Sequence, residues 1–167
     1  MMKPSRSARR AYSERVEEAQ AKPRQAERAL IGAGAGLSTA AGLTCGGPRF
    51  EEHFAEYSKR YGMRDMYSSS FYDFDTEEER WAYWALLIGL NRFDPPPLPL
   101  YVELNELTAG FDRFVVTTNV DGQFVNAGFP RDEVFEVQGD YGLLQCARGC
   151  HQTLYDNEAL VAAWREA

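Results

Sequence analysis

Three short apolar runs punctuate the chain: Ala29-Leu30-Ile31 stopping at Gly32, Phe114-Val115-Val116 stopping at Thr117-Thr118-Asn119, and Val134-Phe135-Glu136-Val137 stopping at Gln138-Gly139. Runs this short, bounded by glycine or polar residues, predict strands of a parallel sheet buried on both faces. Between them the pattern turns helical. Thr76-Glu77-Glu78-Glu79 reads as a capping box with a negative first turn, and Trp81, Trp84, Ala85 and Ile88 then share one helical face. That helix must stop before Pro95-Pro96-Pro97. A further helix fits Tyr101 to Thr108 and ends at Gly110. Residues 12–27 read as a mostly polar helix with Pro23 as a break, and residues 48–74 as loops and short helices.

Short apolar strands separated by helical patterns predict an α/β fold with a doubly wound, Rossmann-like parallel sheet. Ligands of such sheets bind just beyond the carboxyl ends of the strands. The candidate chemistry therefore falls at residues 32–38, 117–121 and 138–141.

Composition narrows the picture further. The 167 residues suit one domain, and 22 aromatic residues (10 Phe, 9 Tyr, 3 Trp) supply a sizeable core. Net charge is −7, and residues 1–30 carry +4 of balance, leaving −11 for the other 137. That distribution argues against a nucleic-acid partner, because the basic segment is diluted by Glu14, Glu17, Glu18 and Glu27. No run approaches the roughly 18 apolar residues of a membrane helix, so no membrane role is expected. Residues 3–10 are rich in Arg and Ser, as transit peptides are, but the acids that follow do not fit one, and a cytoplasmic location is expected. Three Cys form no disulfide scaffold, and a reducing compartment with thiol or metal chemistry fits them better.

Several constellations follow from spacing. Gly32-Ala33-Gly34-Ala35-Gly36 is either a dinucleotide loop, whose backbone N–H groups and following helix would hold a pyrophosphate, or a tight turn. Ser38 is placed to cap that helix. Glu51 or Glu52 falls roughly where a ribose-binding acid would, though no second strand end is visible there. In Thr117-Thr118-Asn119-Val120-Asp121-Gly122, the side chains of Asn119 and Asp121 could hold a ribose hydroxyl, orient a water, or close an Asx turn. Gln138 cannot be a base, but its amide can position a hydroxyl. Cys146 and Cys150 are either half of a tetrahedral zinc site or two free thiols, with Cys45, His53 and His151 as the remaining donors; His53 reads as solvated.

Taken in order and spacing, GAGAGLSTAAGL (32–43), TTNVD (117–121), QGDYG (138–142) and the cysteines at 146 and 150 resemble the sirtuin family, from about Ala29 to Asn157. The family comprises NAD-dependent protein deacylases and ADP-ribosyltransferases. Common sirtuins carry Gln-Asn-Ile-Asp at the strand end and a catalytic His at the next; here Thr118 replaces the Gln and Gln138 stands in the His position. This combination looks like the macrodomain-linked bacterial sirtuins. That branch implies protein ADP-ribosylation of lipoyl-carrier proteins, with a macrodomain hydrolase reversing the mark. It often has His after the strand-end Asp, where this chain has Gly122.

The resemblance implies NAD as co-substrate, bound by Gly32, Ala33, Gly34, Ala35, Gly36 and Ser38, with Asn119 and Asp121 on the nicotinamide ribose and Gln138 orienting the acceptor or ribose hydroxyls. It implies zinc at Cys146 and Cys150, in a zinc-ribbon insertion whose second cysteine pair the family places further on. The expected organisation is a helical segment (1–28), a Rossmann-like NAD-binding portion (29–145) and the start of the zinc module (146–167), with the sheet incomplete at the C-terminus. A deacylase, or a non-catalytic NAD-binding module, are the alternatives.

Overall fold

The computed structural model describes residues 6–22 and 26–166. Strands β1 (Arg28–Ala33), β2 (Asp112–Thr117) and β3 (Val134–Glu136) pair in parallel in the order β1-β2-β3. β1 and β2 contain the first two apolar runs and β3 covers all but the last residue of the third, so element type followed local composition.

Register assigns the two faces. Ile31, Val115 and Val134 stand in one row across the sheet. Their face carries a core of Tyr101, Val115, Phe124, Ala127, Phe129 and Val134, with Ile31, Ala33 and Leu37 packed against it. The opposite face is open: Leu30 is 75% exposed and Phe135 55%. The expectation of strands buried on both faces is therefore corrected. Helices cover one side only, and the second layer of a doubly wound sheet is not among the described residues.

Helix α1 (Arg6–Ala21) overlaps the expected polar segment 12–27 but begins six residues earlier, and it stops short of Pro23, which lies outside the described residues. Helices α2 (Ala35–Ala40), α3 (Pro48–His53), α4 (Ala55–Tyr61) and α5 (Met66–Ser69) follow β1. A second core lies among α3–α5 and α6 (Glu77–Ile88), built from Phe50, Phe54, Met63, Met66, Tyr83 and Leu87. Thr76 caps α6 as its sequence predicted, its hydroxyl accepting from the Glu79 N–H at 3.2 Å.

The single apolar stripe foreseen for α6 is in fact double. Tyr83 and Leu87 face the second core, while Ala85 and Ile88 meet Val161 of α9 (Glu158–Glu166). Beyond α6 the chain widens into one π-helical turn, Gly89–Phe93. Helix α7 (Pro99–Thr108) then leads to β2, and α8 (Gln123–Asn126) to β3. Gln123, fully buried, accepts through Oε1 from the Leu98 N–H at 3.0 Å, so one side chain of α8 caps the start of α7.

Strands β4 (Leu143–Gln145) and β5 (Leu154–Asp156) form an antiparallel ribbon. The ribbon thus spans position 145/146, and α9 returns from it to α6. Among the described residues no helix is long and apolar enough to cross a membrane.

Candidate functional site

The three strand ends converge. After β1, Gly34 is the N-cap of α2 in extended conformation, with no side-chain cap. A Cβ built on Gly34 would stand 3.3 Å from Thr118 Oγ1, whereas one on Gly32 or Gly36 would meet nothing. Gly34 is thus the glycine of this turn that makes a close approach, and the approach is to the motif at the end of β2. The Thr118 N–H donates to Ala33 O at 3.1 Å, and the Val137 N–H to Thr117 O at 2.8 Å. One step on, the Tyr141 N–H donates to Val120 O at 3.0 Å. The loops after β1, β2 and β3 are therefore laced into one rim.

Ser38 does not cap α2, because that helix begins at Ala35 and Ser38 sits inside it, buried. Its hydroxyl turns across the rim and donates to Asp121 Oδ2 at 2.6 Å. Asp121 Oδ1 accepts from the Gln123 N–H at 3.0 Å, so Asp121 makes the Asx turn and also holds Ser38. Asn119 is anchored twice: its N–H donates to Thr117 Oγ1 at 3.0 Å, and Nδ2 donates to the Tyr101 hydroxyl at 3.2 Å. Tyr101, fully buried on α7, also lies 3.0 Å from Ser38 Oγ. Burial, more than its partners, pushes the Tyr101 phenol up, so it stays protonated through neutral pH.

Tyr101 was missed by sequence reasoning, which placed it only as the start of a helix. Its one local signal was an aromatic hydroxyl on a helix face that packs beneath a strand end.

Gln138 takes no part in these hydrogen bonds. It is exposed and lines a cavity of about 410 Å³ with Val120, Gly139, Tyr141 and Leu144. Asp140 beside it is tied down: Arg92, from the π turn, donates to it through Nε at 2.6 Å and Nη2 at 3.1 Å, and the Gly142 N–H donates to it at 2.7 Å. Bidentate pairs of this kind fix geometry as well as charge.

Arg92 also explains Gly122. At φ +66° a Cβ there would stand 2.5 Å from the Arg92 Cζ, so the guanidinium fills the place a side chain would take. Gly122→Ala is expected to lower stability by about 1–2 kcal/mol through the left-handed backbone alone, and by more through displacement of Arg92. Thermal unfolding checks this, and an unchanged midpoint would contradict it.

Glu51, Glu52 and His53 are exposed on α3. Between β4 and β5, donor atoms of Cys146, Cys150 and His151 lie within 4.8 Å of one another. The two sulfurs are 3.0 Å apart. The hydrogen bond the two thiols share draws the Cys146 pKa below its usual value and leaves that of Cys150 raised. Two sulfurs and an imidazole are three of the four donors a tetrahedral zinc site uses, so the donor set fits zinc in kind.

No protein-family model matches the chain. Over 137 residues, 82% of this chain, it is 36% identical to a protein ADP-ribosyltransferase of Staphylococcus aureus, of which it covers 44%. Over 129 residues, 75% of this chain, it is 35% identical to a protein of Fusarium oxysporum f. sp. cubense described as a probable bifunctional ADP-ribose hydrolase/ADP-ribosyltransferase, of which it covers 21%. The chain thus spans less than half the length of the first curated relative and about a fifth of the second. Among solved structures, one concerned with the mechanism and regulation of Sir2 enzymes aligns at 23% identity and a TM-score of 0.47, over 84% of this chain and 51% of that one. A mutant Sir2 homologue in complex with ADP-ribose aligns at 17% identity and 0.49, over 77% and 47%.

Proposed function

We propose that this chain belongs to the sirtuin family and carries the nicotinamide-ribose end of an NAD site in a protein ADP-ribosyltransferase. The observation that carries the reading is the Ser38–Asp121 hydrogen bond, which closes the glycine turn of β1 onto the strand-end motif of β2. It builds a polar floor at the carboxyl ends of parallel strands, where nucleotides bind in such sheets. The likeness to curated ADP-ribosyltransferases over most of the chain supports the same reading.

In this reading the backbone N–H groups of residues 33–36 hold the pyrophosphate. Asn119, with Asp121 behind it, holds the ribose hydroxyls, and Gln138 orients the acceptor or the ribose from the lip of the cavity. The chemistry is rupture of the bond between nicotinamide and ribose, with ADP-ribose passing to a nucleophilic side chain of a protein. Residues 29–145 would form the NAD-binding portion, and residues 146–167 would begin a metal module in which Cys146, Cys150 and His151 hold zinc. A lipoylated carrier protein is the proposed target. A hydrolase would reverse the mark, in keeping with the relative whose description joins both activities in one chain. Deacylation has no matching support, since a His base suits that route and His53 and His151 lie on α3 and in the cysteine turn.

The test is incubation with radiolabelled NAD and a lipoylated carrier. Protein-bound label that an ADP-ribose hydrolase removes is expected. Normal NAD binding with no label on any protein would overturn transfer in favour of a binding module.

A further inference from the structure

We propose that Tyr101 is a positioning residue that sets which way round the Asn119 amide is held, so that Asn119 presents its carbonyl, and not its NH2, to a ligand hydroxyl. The inference rests on the function proposed above.

The argument follows protons through four side chains. An ionised carboxylate only accepts, so the single proton of Ser38 goes to Asp121 Oδ2, at 2.6 Å. Ser38 Oγ can then meet Tyr101, 3.0 Å away, only as an acceptor, so the one proton of Tyr101 is directed to the Ser38–Asp121 pair, both of which lie within its hydrogen-bonding reach. The Tyr101 oxygen is left with lone pairs alone. Its contact with Asn119, at 3.2 Å, must therefore be a donation from Asn119 Nδ2.

The chain Asn119 → Tyr101 → Ser38 → Asp121 thus has one direction. An amide's oxygen and nitrogen have nearly the same shape, so packing alone would not choose between its two orientations. Here the charge on Asp121 chooses, relayed through two hydroxyls. With Nδ2 committed to Tyr101, the other end of the amide, Asn119 Oδ1, is the acceptor left to meet a ligand. That favours a ligand bearing a hydroxyl donor at this point, as a ribose does, over one bearing a carbonyl.

The position of Tyr101 is held by packing as well. Its ring stands edge-on to Phe124 with centroids 5.0 Å apart, a contact that Tyr101→Phe preserves while removing both hydrogen bonds. Two readouts separate positioning from mere structure. In the 167-residue chain, the Asn119 side-chain NH2 resonances are expected to shift and broaden in Tyr101→Phe, as the amide samples both orientations. Single-turnover transfer is expected to fall about tenfold, the scale of one lost hydrogen bond, with NAD affinity changed less than about threefold.

In an Asn119→Ala background the same substitution should cost nothing further, because Tyr101 acts through Asn119. Should Tyr101→Phe fail to fold, Ser38→Ala breaks the chain at its next link and carries the same expectation for the Asn119 resonances, which alone are read in that variant because Ser38 is itself placed at the NAD site. Unmoved Asn119 resonances, or full additivity of the two substitutions, would overturn the proposal. A wild-type protein without transfer activity would instead sink the function proposed above, and the resonances would still decide the orientation.

Discussion

In a full-length form that carries out the transfer proposed above, replacing Asn119 with alanine is expected to lower single-turnover ADP-ribosyl transfer by about 10²-fold or more, while NAD affinity changes much less. Asn119 cannot titrate, so its contribution must be a hydrogen bond that is better satisfied in the transition state than in the bound substrate. Losses on that scale are typical of one preorganised group removed from a dry site. Asn119 has the attributes for it: the residue is 7% exposed and held at backbone and side chain before any ligand arrives. The pyrophosphate contacts proposed for residues 33–36, which would carry most of the expected NAD affinity, would be untouched by the change.

Gln138→Ala should behave alike, and a double variant should be non-additive if both residues serve one step. Single-turnover assays beside NAD titration decide the matter. Losses appearing wholly in NAD affinity would make both residues holders of the substrate, with no role in catalysis.

The second large effect is on stability. Phe54→Ala is expected to cost about 3–5 kcal/mol, the usual range for a fully buried phenylalanine that leaves a cavity. Phe54 is completely buried at the junction of α3 and α4, with Phe50 stacked on it at 5.4 Å and Tyr83 tilted against it at 5.3 Å. Tyr83 in turn donates its hydroxyl to Met66 O at 2.6 Å, so the cavity would open beside a polar link that cannot easily follow the collapse. For a chain of this size the melting temperature should fall by roughly 10 °C. A shift below about 3 °C in calorimetry would show that the core around Phe54 collapses without cost.

Much of this could be read from residue order. The three parallel strands, the Thr76 cap, the helix of Tyr101 to Thr108 and the polar or glycine-rich residues at the three strand ends are local or nearly local matters, whereas the β4–β5 ribbon had no signal in the pattern. They follow from apolar runs, caps and turns, whose physics extends over a few residues. The resemblance carried by GAGAGLSTAAGL, TTNVD and QGDYG added the expected chemistry, because a site built on strand ends keeps its residues in recognisable order.

What needed the tertiary structure were pairings across long separations. Ser38 meets Asp121 across 83 positions, Arg92 meets Asp140 across 48, and Asn119 meets Tyr101 across 18. Nothing in the local pattern of Ser38 distinguishes a helix cap from a buried donor; only the packing of α2 over the end of β2 decides it. Arg92 likewise reads as an ordinary cation until the π turn carries it over Gly122. The open face of the sheet was also beyond the sequence. An apolar residue such as Leu30 records that a strand wants cover, whereas whether cover arrives depends on where distant helices pack. The sequence by itself determined the three parallel strands, the capped helix after Thr76, the helix of Tyr101 to Thr108 and the chemical types at the strand ends. The tertiary structure decided their partners, because a hydrogen bond or ion pair needs its two groups within about 3 Å, and only the folded chain brings them there.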